Sequence, residues 1–152
     1  MPDAVTIVLA FDFGLKRIGI AAGDTLTATA CARPAALVSR RGPDWGTIGR
    51  EVLSLKPARL VVGAPYNVDG TPGALLPSAR RFAGELKRRF ALPVNLVDER
   101  FSSLEASAAL SAQRGSGERR RTRHADVDSA AAAVILERWL AGEPGEELGD
   151  CD

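Results

Sequence analysis

Residues 5–21 read VTIVLAFDFGLKRIGIA, in which two apolar runs flank a short turn. The first run carries one polar side chain and predicts a strand buried on both faces of a sheet. A tight turn at Gly14 leads into the second run, so the two are predicted to pair as an antiparallel hairpin. Asp12 ends the first strand, and burying its carboxylate is costly unless a cation meets it. Arg17, a helix N-terminus or a metal ion would each meet that need.

The rest of the chain alternates between predicted strands and helices. Patterning predicts strands at 5–11, 17–23, 27–32, 60–62 and 94–97, and helices at 44–55, 75–90, 103–112 and 127–140. Asp44 is placed to cap the first helix, and Pro34 is expected to interrupt the chain after the third strand. This order indicates an α/β fold, a mixed five-stranded sheet with an initial antiparallel hairpin and helices on both faces.

Length and composition are those of an ordinary globular protein. The chain has 152 residues, of which 45% are hydrophobic and 26% charged. This predicts one domain over 1–141, followed by an acidic tail over 142–152 that we expect to be disordered. No apolar run approaches the ~20 residues that span a membrane, and the start lacks the basic residues of a signal peptide. Two cysteines form no disulfide framework, so we predict a cytoplasmic protein without membrane association.

The net charge of +1 hides an uneven distribution. Residues 143–152 hold five acidic side chains and no basic one, which leaves +6 on residues 1–142. A basic body is typical of proteins that bind a polyanion, although a solvated loop and a frayed terminus explain the same pattern. Much of the charge lies in a polar loop predicted at 113–124, whose candidate phosphate contacts are Arg114, Arg120, Arg121 and Arg123.

Three acidic residues are placed where a sheet and a helix would bring them together. Asp12 and Glu99 each follow a predicted strand, at the rim where α/β sheets gather ligands. Asp128 lies on the helical stripe that runs through Ala132 and Ile135, the face predicted to pack on the sheet. Each acid alone has a simpler explanation: Asp12 shapes a turn, Glu99 pairs with its neighbouring arginine, and Asp128 favours the helix dipole.

A metal site is the explanation that accounts for the three acids jointly. Neighbouring carboxylates raise one another's pKa unless cations neutralise them, and partly open oxygen ligands favour Mg²⁺ or Mn²⁺. Two such ions ~4 Å apart can activate a water for phosphodiester cleavage. Lys16, Arg17 and Arg100 would then contact phosphates. An aromatic content of 5% argues against base stacking on single strands as the main mode of binding.

Four blocks of the sequence carry a family resemblance. They read DFGLKRIG at 12–19, GAPYNVDGT at 63–71, VDERFSS at 97–103 and VDSAAA at 127–132. In this order they resemble the motifs D-x-G-x-x-R-I-G, G-L-P-x-N-x-D-G-T, D-E-R-x-S/T-S/T and V-D-x-x-A-A of the YqgF/RuvX family. Its members are bacterial RNase H-like proteins described as Holliday junction resolvases and pre-16S rRNA nucleases. The match extends to about residue 141.

The resemblance implies an RNase H-like fold in which Asp12, Glu99 and Asp128 are the catalytic and metal-binding groups. It also implies that further residues line the same cleft and bind substrate, namely Asn67, Asp69, Gly70, Thr71 and Arg100. Ala64 stands where the family has leucine, and 101–103 read Phe-Ser-Ser where Leu-Thr-Thr is more common. Serine keeps the hydroxyls, so neither departure alters the expected site.

The implied function is metal-dependent hydrolysis of phosphodiesters in structured nucleic acid. The first choice is processing of the 5′ end of pre-16S rRNA, free or within a ribosomal particle. The alternative is resolution of Holliday junctions in branched DNA, which favours a homodimer where rRNA processing allows a monomer. A non-catalytic RNA-binding assembly factor is a third interpretation. Actin-like ATPases share the D-x-G turn but need a second domain.

Overall fold

A computed structural model of the chain describes residues 6–64, 75–98, 124–142 and 145–147. Within these residues, seven strands form one mixed sheet in the order β4-β3-β2-β1-β5-β6-β7. The strands are β1 (Ile7–Asp12), β2 (Arg17–Asp24), β3 (Ala30–Ser39), β4 (Gly42–Pro43), β5 (Arg59–Ala64), β6 (Val94–Asp98) and β7 (Gly145–Glu147), and the helices are α1 (Trp45–Leu55), α2 (Leu76–Phe90) and α3 (His124–Leu140). The predicted α/β fold is confirmed. Its five strands are all present, and the short edge strands β4 and β7 were not predicted.

The initial hairpin forms as predicted. Strands β1 and β2 pair antiparallel, with Asp12 opposite Gly19, while β1 pairs parallel with β5 and β5 parallel with β6. The turn needs Gly14, because a Cβ atom there would lie 2.6 Å from the backbone oxygen of Arg17. The parallel strands β1, β5 and β6 therefore end at the same edge of the sheet.

The third strand departs from prediction, because Pro34 does not interrupt it. Strand β3 runs through this residue, and its register against β2 shifts there: Ala36 lies opposite Ile18, whereas Arg33 lies opposite Ile20. The extra residue on β3 forms a bulge, which accommodates a proline that has no N–H to donate. The Ser129 hydroxyl from α3 joins the strands at this point.

The sheet carries helices on both faces, with a separate core under each. Alternation along β1 sends Leu9 and Phe11 to one face and Val8 and Ala10 to the other. On the first face the strands pack against α1 and α2, which contribute Ile48, Val52, Ala79, Phe82 and Leu86. On the second face they pack against α3, through Ala132, Ile135 and Leu136. The second core is the one that holds α3 next to the end of β1.

Most helix boundaries agree with the sequence. Helix α1 begins after Asp44, whose carboxylate accepts hydrogen bonds from the Thr47 N–H at 3.2 Å and from its hydroxyl at 2.7 Å. Helix α3 begins at His124, three residues before the predicted start at Val127. Among the described residues, no helix is long and apolar enough to cross a membrane.

Strand β7 falls inside the tail for which disorder was predicted. It pairs antiparallel with β6, Glu147 lying opposite Asn95. Disorder is therefore wrong for residues 145–147, because the outer edge of β6 offers backbone hydrogen bonds that a composition-based prediction does not take into account. The predicted helix at 103–112, the predicted loop at 66–73 and residues 113–123 of the loop predicted at 113–124 lie outside the described residues, whereas the last residue of that loop, His124, begins α3.

Candidate active site at the carboxyl edge of the parallel strands

Asp12 lies at the end of β1 between two glycines. Its partner on β2 is Gly19 and its partner on β5 is Gly63. Neighbouring strands are ~4.8 Å apart, so ordinary side chains at these two positions would flank the Asp12 side chain directly. With glycine at both positions, no side chain of a neighbouring strand flanks the half-buried Asp12 at this level of the sheet. Such an arrangement suits a bound ligand or metal ion.

Because side chains alternate between the two faces of the sheet along β1, Asp12 lies on the face that α3 covers. It shares this face with Val8 and Ala10, which belong to the second core. On β2, Arg17 is four residues from Ala21, another member of that core, and therefore lies on the same face. Asp12 and Arg17 therefore lie on one surface of the sheet, close to the hairpin turn. Lys16 is exposed within the turn itself, and its backbone oxygen accepts the Val38 N–H at 2.8 Å.

Ser129 fixes the N-terminal part of α3 to the sheet beside this surface. Its side chain is 1% exposed. The hydroxyl accepts the N–H of Ile20 at 3.3 Å and donates to the carbonyl of Arg33 at 2.6 Å, so it bridges β2 and β3 at the bulge. Ile20 is the cross-strand partner of Phe11, the residue before Asp12. The preceding helix residue, Asp128, is thereby placed, at the level of the backbone, near the end of β1.

The stripe predicted to carry Asp128 is confirmed as a packed face. Ala132 and Ile135 are buried in the second core, and Trp139 packs against it. The Asp128 side chain itself lies outside what the structure describes.

The bulge is also supported from the opposite face of the sheet. The Arg33 guanidinium donates to the Glu51 carboxylate of α1 from Nε at 2.7 Å and from Nη2 at 3.2 Å. Hydrogen bonding to this carboxylate, together with its charge, raises the pKa of Arg33. The backbone of Arg33 thus binds α3 while its side chain binds α1, which holds β3 from both layers.

The other predicted site residues follow strands that end at the same edge. Glu99 comes directly after β6, whose last residue, Asp98, pairs with Ala64 of β5. Asn67, Asp69, Gly70 and Thr71 follow β5. These five residues, together with Arg100, Arg114, Arg120, Arg121 and Arg123, lie outside the described residues. Within the described part of the chain, no group of three or more acidic, histidine or cysteine side chains forms a metal cluster.

Sequence reasoning did not assign a role to Gly19 and Gly63. Both stand in apolar strands, where glycine weakens the sheet and often marks a place that a ligand approaches. That signal was available in the sequence. Their position on either side of Asp12 was not, because it depends on the register of three strands.

Comparison with known proteins agrees with this architecture. A family model described as "RuvX: Holliday junction resolvase" matches residues 6–142. A relative from Xanthomonas campestris pv. campestris (strain 8004), named "Putative pre-16S rRNA nuclease", is 45% identical over 140 residues, which cover 92% of this chain and 89% of the relative. A Legionella pneumophila subsp. pneumophila (strain Philadelphia 1) relative of the same name is 45% identical over 136 residues, covering 88% of this chain and 94% of the relative.

Solved structures show the same fold. The structure "T. thermophilus RuvC in complex with Holliday junction substrate" superposes with a TM-score of 0.53 at 16% identity, covering 94% of this chain and 99% of that chain. A second Thermus thermophilus RuvC structure gives a TM-score of 0.51 at 14% identity, with 93% and 99% covered. These likenesses, at low identity, concern the fold, and they confirm the predicted RNase H-like architecture. With the resemblance of the four motifs confirmed by the family match over residues 6–142, the chain belongs to the RuvX family.

Proposed function

We propose that this protein is a metal-dependent nuclease that hydrolyses phosphodiesters in structured nucleic acid. The observation that carries the proposal is the setting of Asp12, a carboxylate between Gly19 and Gly63 on the sheet surface that α3 covers. Membership of a family described as a resolvase, and relatives named as nucleases, support the same reaction class.

In this proposal Glu99 and Asp128 complete the site. Glu99 follows β6, which ends at the same edge as β1, and Asp128 precedes the anchored Ser129. Three carboxylates at one place form a hard oxygen donor set, which fits Mg²⁺ or Mn²⁺. When bound, such an ion activates a water and stabilises the charge that develops on the leaving oxygen.

Basic residues around the site would hold the substrate. Arg17 lies on the same face of the sheet as Asp12, and Lys16 is exposed beside it. Both are therefore placed to contact phosphates next to the reacting group. We assign the same role to Arg100 and to the arginines at 114, 120, 121 and 123. Asn67, Asp69, Gly70 and Thr71, which follow β5, would line the cleft on its other side.

For the substrate we propose the 5′ end of pre-16S rRNA, processed in the cytoplasm during ribosome biogenesis. The names of the relatives from Xanthomonas and Legionella support this choice. Resolution of Holliday junctions is the second candidate, and the description of the matching family favours it. A homodimer would suit symmetric cleavage of a junction, whereas rRNA processing can be performed by a monomer.

The test compares 5′-extended precursor rRNA and a four-way DNA junction side by side, in Mg²⁺ and in Mn²⁺. Wild type is compared with Asp12→Asn and with Asp24→Asn. Asp24 ends β2 at the other end of the hairpin and caps a turn through the N–H groups of Leu26 and Thr27, at 2.9 and 2.8 Å. We expect metal-dependent cleavage of one substrate that is lost in Asp12→Asn, retained in Asp24→Asn, and accompanied by unchanged binding.

A different result would replace the proposal. Binding without cleavage by all three proteins, on free and ribosome-bound RNA alike, would identify a non-catalytic assembly factor. Equal cleavage by wild type and Asp12→Asn would remove this carboxylate from the reaction.

A further inference from the structure

A groove with a volume of about 520 Å³ lies between the β3–β4 hairpin and α2. Its floor is aromatic, formed by Phe13, Trp45 and Phe82, and arginines lie at its rim. The volume is within the ~300–1,000 Å³ of typical small-ligand pockets. Among the described residues that line this groove, none is assigned to the nuclease site.

The floor gathers aromatic residues that are scarce elsewhere in the chain. The ring of Trp45 stacks on that of Phe82 at a centroid distance of 5.5 Å, and the ring of Phe13 lies 5.4 Å from Phe82. Phe82 is buried, whereas Phe13 and Trp45 are half-buried and line the groove. The guanidinium of Arg89 lies over the Trp45 ring, 4.1 Å from its centroid, so this ring and the Arg89 guanidinium form one stacked surface. Such a floor favours a flat, apolar group as its ligand.

The rim is cationic. Arg41, Arg81 and Arg89 line the groove, with Glu85 as the one acid among the described lining residues. Arg88 and Arg89 hold that carboxylate at 2.9 and 3.0 Å, so its charge is already matched by two guanidiniums. Helix α2 adds to the positive potential because it carries five basic residues against this single acid. The rim therefore attracts an anion.

The groove opens at the same end of the sheet as Asp12. Phe13 directly follows Asp12 and belongs to the opposite face, where it packs with the first core. The hydrogen bond between Lys16 and Val38 ties the β3–β4 side of the groove to the turn that carries the candidate site. A polymer that passes over this edge of the sheet can therefore contact the groove and the Asp12 surface together.

We propose that this groove binds an unpaired nucleotide of the nucleic-acid substrate, the base against Phe13 and the stacked Trp45–Arg89 pair and a phosphate at Arg41 and Arg81. The inference rests on the proposed function for the identity of the polymer. Nucleotides combine a flat ring with an adjacent negative charge, which is the combination the floor and rim require. A base in a duplex is stacked and paired, so the groove takes a single-stranded overhang, bulge or loop.

The experiment uses the intrinsic fluorescence of Trp45 in EDTA, so that binding is measured without cleavage. The chain has two tryptophans, and Trp139→Phe leaves Trp45 as the only reporter. The protein is titrated with a short single-stranded RNA, DNA of the same sequence, the blunt RNA duplex, and an abasic strand of the same length. We expect Trp45 emission to change with the intact single strands and not with the duplex or the abasic strand. The RNA and DNA arms tell which backbone is preferred.

Variants then separate the floor from the rim. Arg81→Ala and Phe13→Leu should each weaken single-strand binding about tenfold. Arg81→Ala should also reduce the slope of log affinity against log salt by about one, whereas Phe13→Leu should leave the slope unchanged. Arg50→Ala is the matched control, an exposed arginine of α1 that bonds to Thr47 and lies outside the groove. Its affinity should stay within about twofold of wild type.

Three outcomes would overturn the groove proposal: saturating RNA that leaves Trp45 emission unchanged, an abasic strand that binds as tightly as the intact one, or Arg50→Ala that loses as much affinity as Arg81→Ala. Its failure is distinguishable from failure of the nuclease proposal. Cleavage that depends on Asp12 but is unaffected by Arg81→Ala would leave the nuclease and remove the groove. Single-strand binding at Trp45 without cleavage in Mg²⁺ or Mn²⁺ would support the groove and reject the nuclease.

Discussion

The hydroxyl of Ser129 donates to the backbone carbonyl of Arg33 at 2.6 Å, across 96 residues of sequence. Because it also accepts the Ile20 N–H, one side chain joins a helix to two strands at the point where their register shifts. This contact makes the position of α3, and with it the backbone position of Asp128, depend on the bulge in β3.

Ser129→Ala should destabilise the protein by about 2 kcal/mol, because two hydrogen bonds of a buried hydroxyl are lost and backbone groups lose their partner. Urea unfolding measures the change in the free energy of unfolding. Ser54→Ala, at an exposed position of α1, is the control and should stay within about 0.5 kcal/mol of wild type. Equal stability of the two variants would show that the bridge contributes nothing.

Saturating Mg²⁺ should raise the melting temperature of wild type, since a ligand that binds only the folded state stabilises it by about 2.7 kcal/mol at ~100 times its Kd. Asp12→Asn should lose most of this rise, because one anionic ligand of the proposed site is removed. Differential scanning calorimetry with and without EDTA measures it. A rise in Asp12→Asn equal to that in wild type and Asp24→Asn would locate metal binding elsewhere.

Gly14→Ala should destabilise the hairpin by roughly 1–3 kcal/mol, since its Cβ would meet the Arg17 backbone oxygen at 2.6 Å and force the turn to shift. Gly49→Ala provides the opposite expectation within the same protein. A Cβ at Gly49 meets nothing within 4 Å, and alanine in a helix interior stabilises by about 0.5–1 kcal/mol. Chemical denaturation of both variants tests the pair, and a stabilised Gly14→Ala would contradict the close approach.

Acid should weaken the start of α1. Hydrogen bonds from the Thr47 hydroxyl and then from its N–H lower the pKa of Asp44 below its ordinary value. A folded-state pKa below the unfolded one gives stability that is present above the unfolded pKa and is lost as pH falls through the folded pKa. Asp44→Asn keeps a capping oxygen but does not titrate. As the pH falls below about 4, the urea midpoint of wild type should therefore decrease more than that of Asp44→Asn. A difference between the two midpoints that stays constant across this range would refute the assignment.

Local features of the fold could be read from the sequence, whereas features that depend on register could not. The hairpin turn at Gly14 and the Asp44 cap rest on residues a few positions apart, and both were predicted. Continuation of β3 through Pro34 depends on a bulge that a serine 96 residues from Arg33 helps to hold, which no local pattern reports. The same holds for Gly19 and Gly63, which flank Asp12 only after three strands are aligned.

Average composition does not report where the few aromatic residues lie. An aromatic content of 5% argued against base stacking, but the fold brings Phe13, Trp45 and Phe82 from three distant segments to one surface. Scarcity in the sequence therefore does not exclude concentration in space. The candidate metal ligands Glu99 and Asp128 stay predictions from motif and position.

The second core has a consequence for how the protein is made. Val8, Ala10, Ala21 and Val61 are covered by α3, which lies later in the chain than β1, β2 and β5. During synthesis this apolar face stays uncovered until residues 124–140 have emerged, and closing so long a loop is slow. Because Asp128 arrives with the same helix, the proposed carboxylate set cannot assemble on a growing chain. With the proposed site, hydrolysis would therefore begin only after α3 has packed on the sheet.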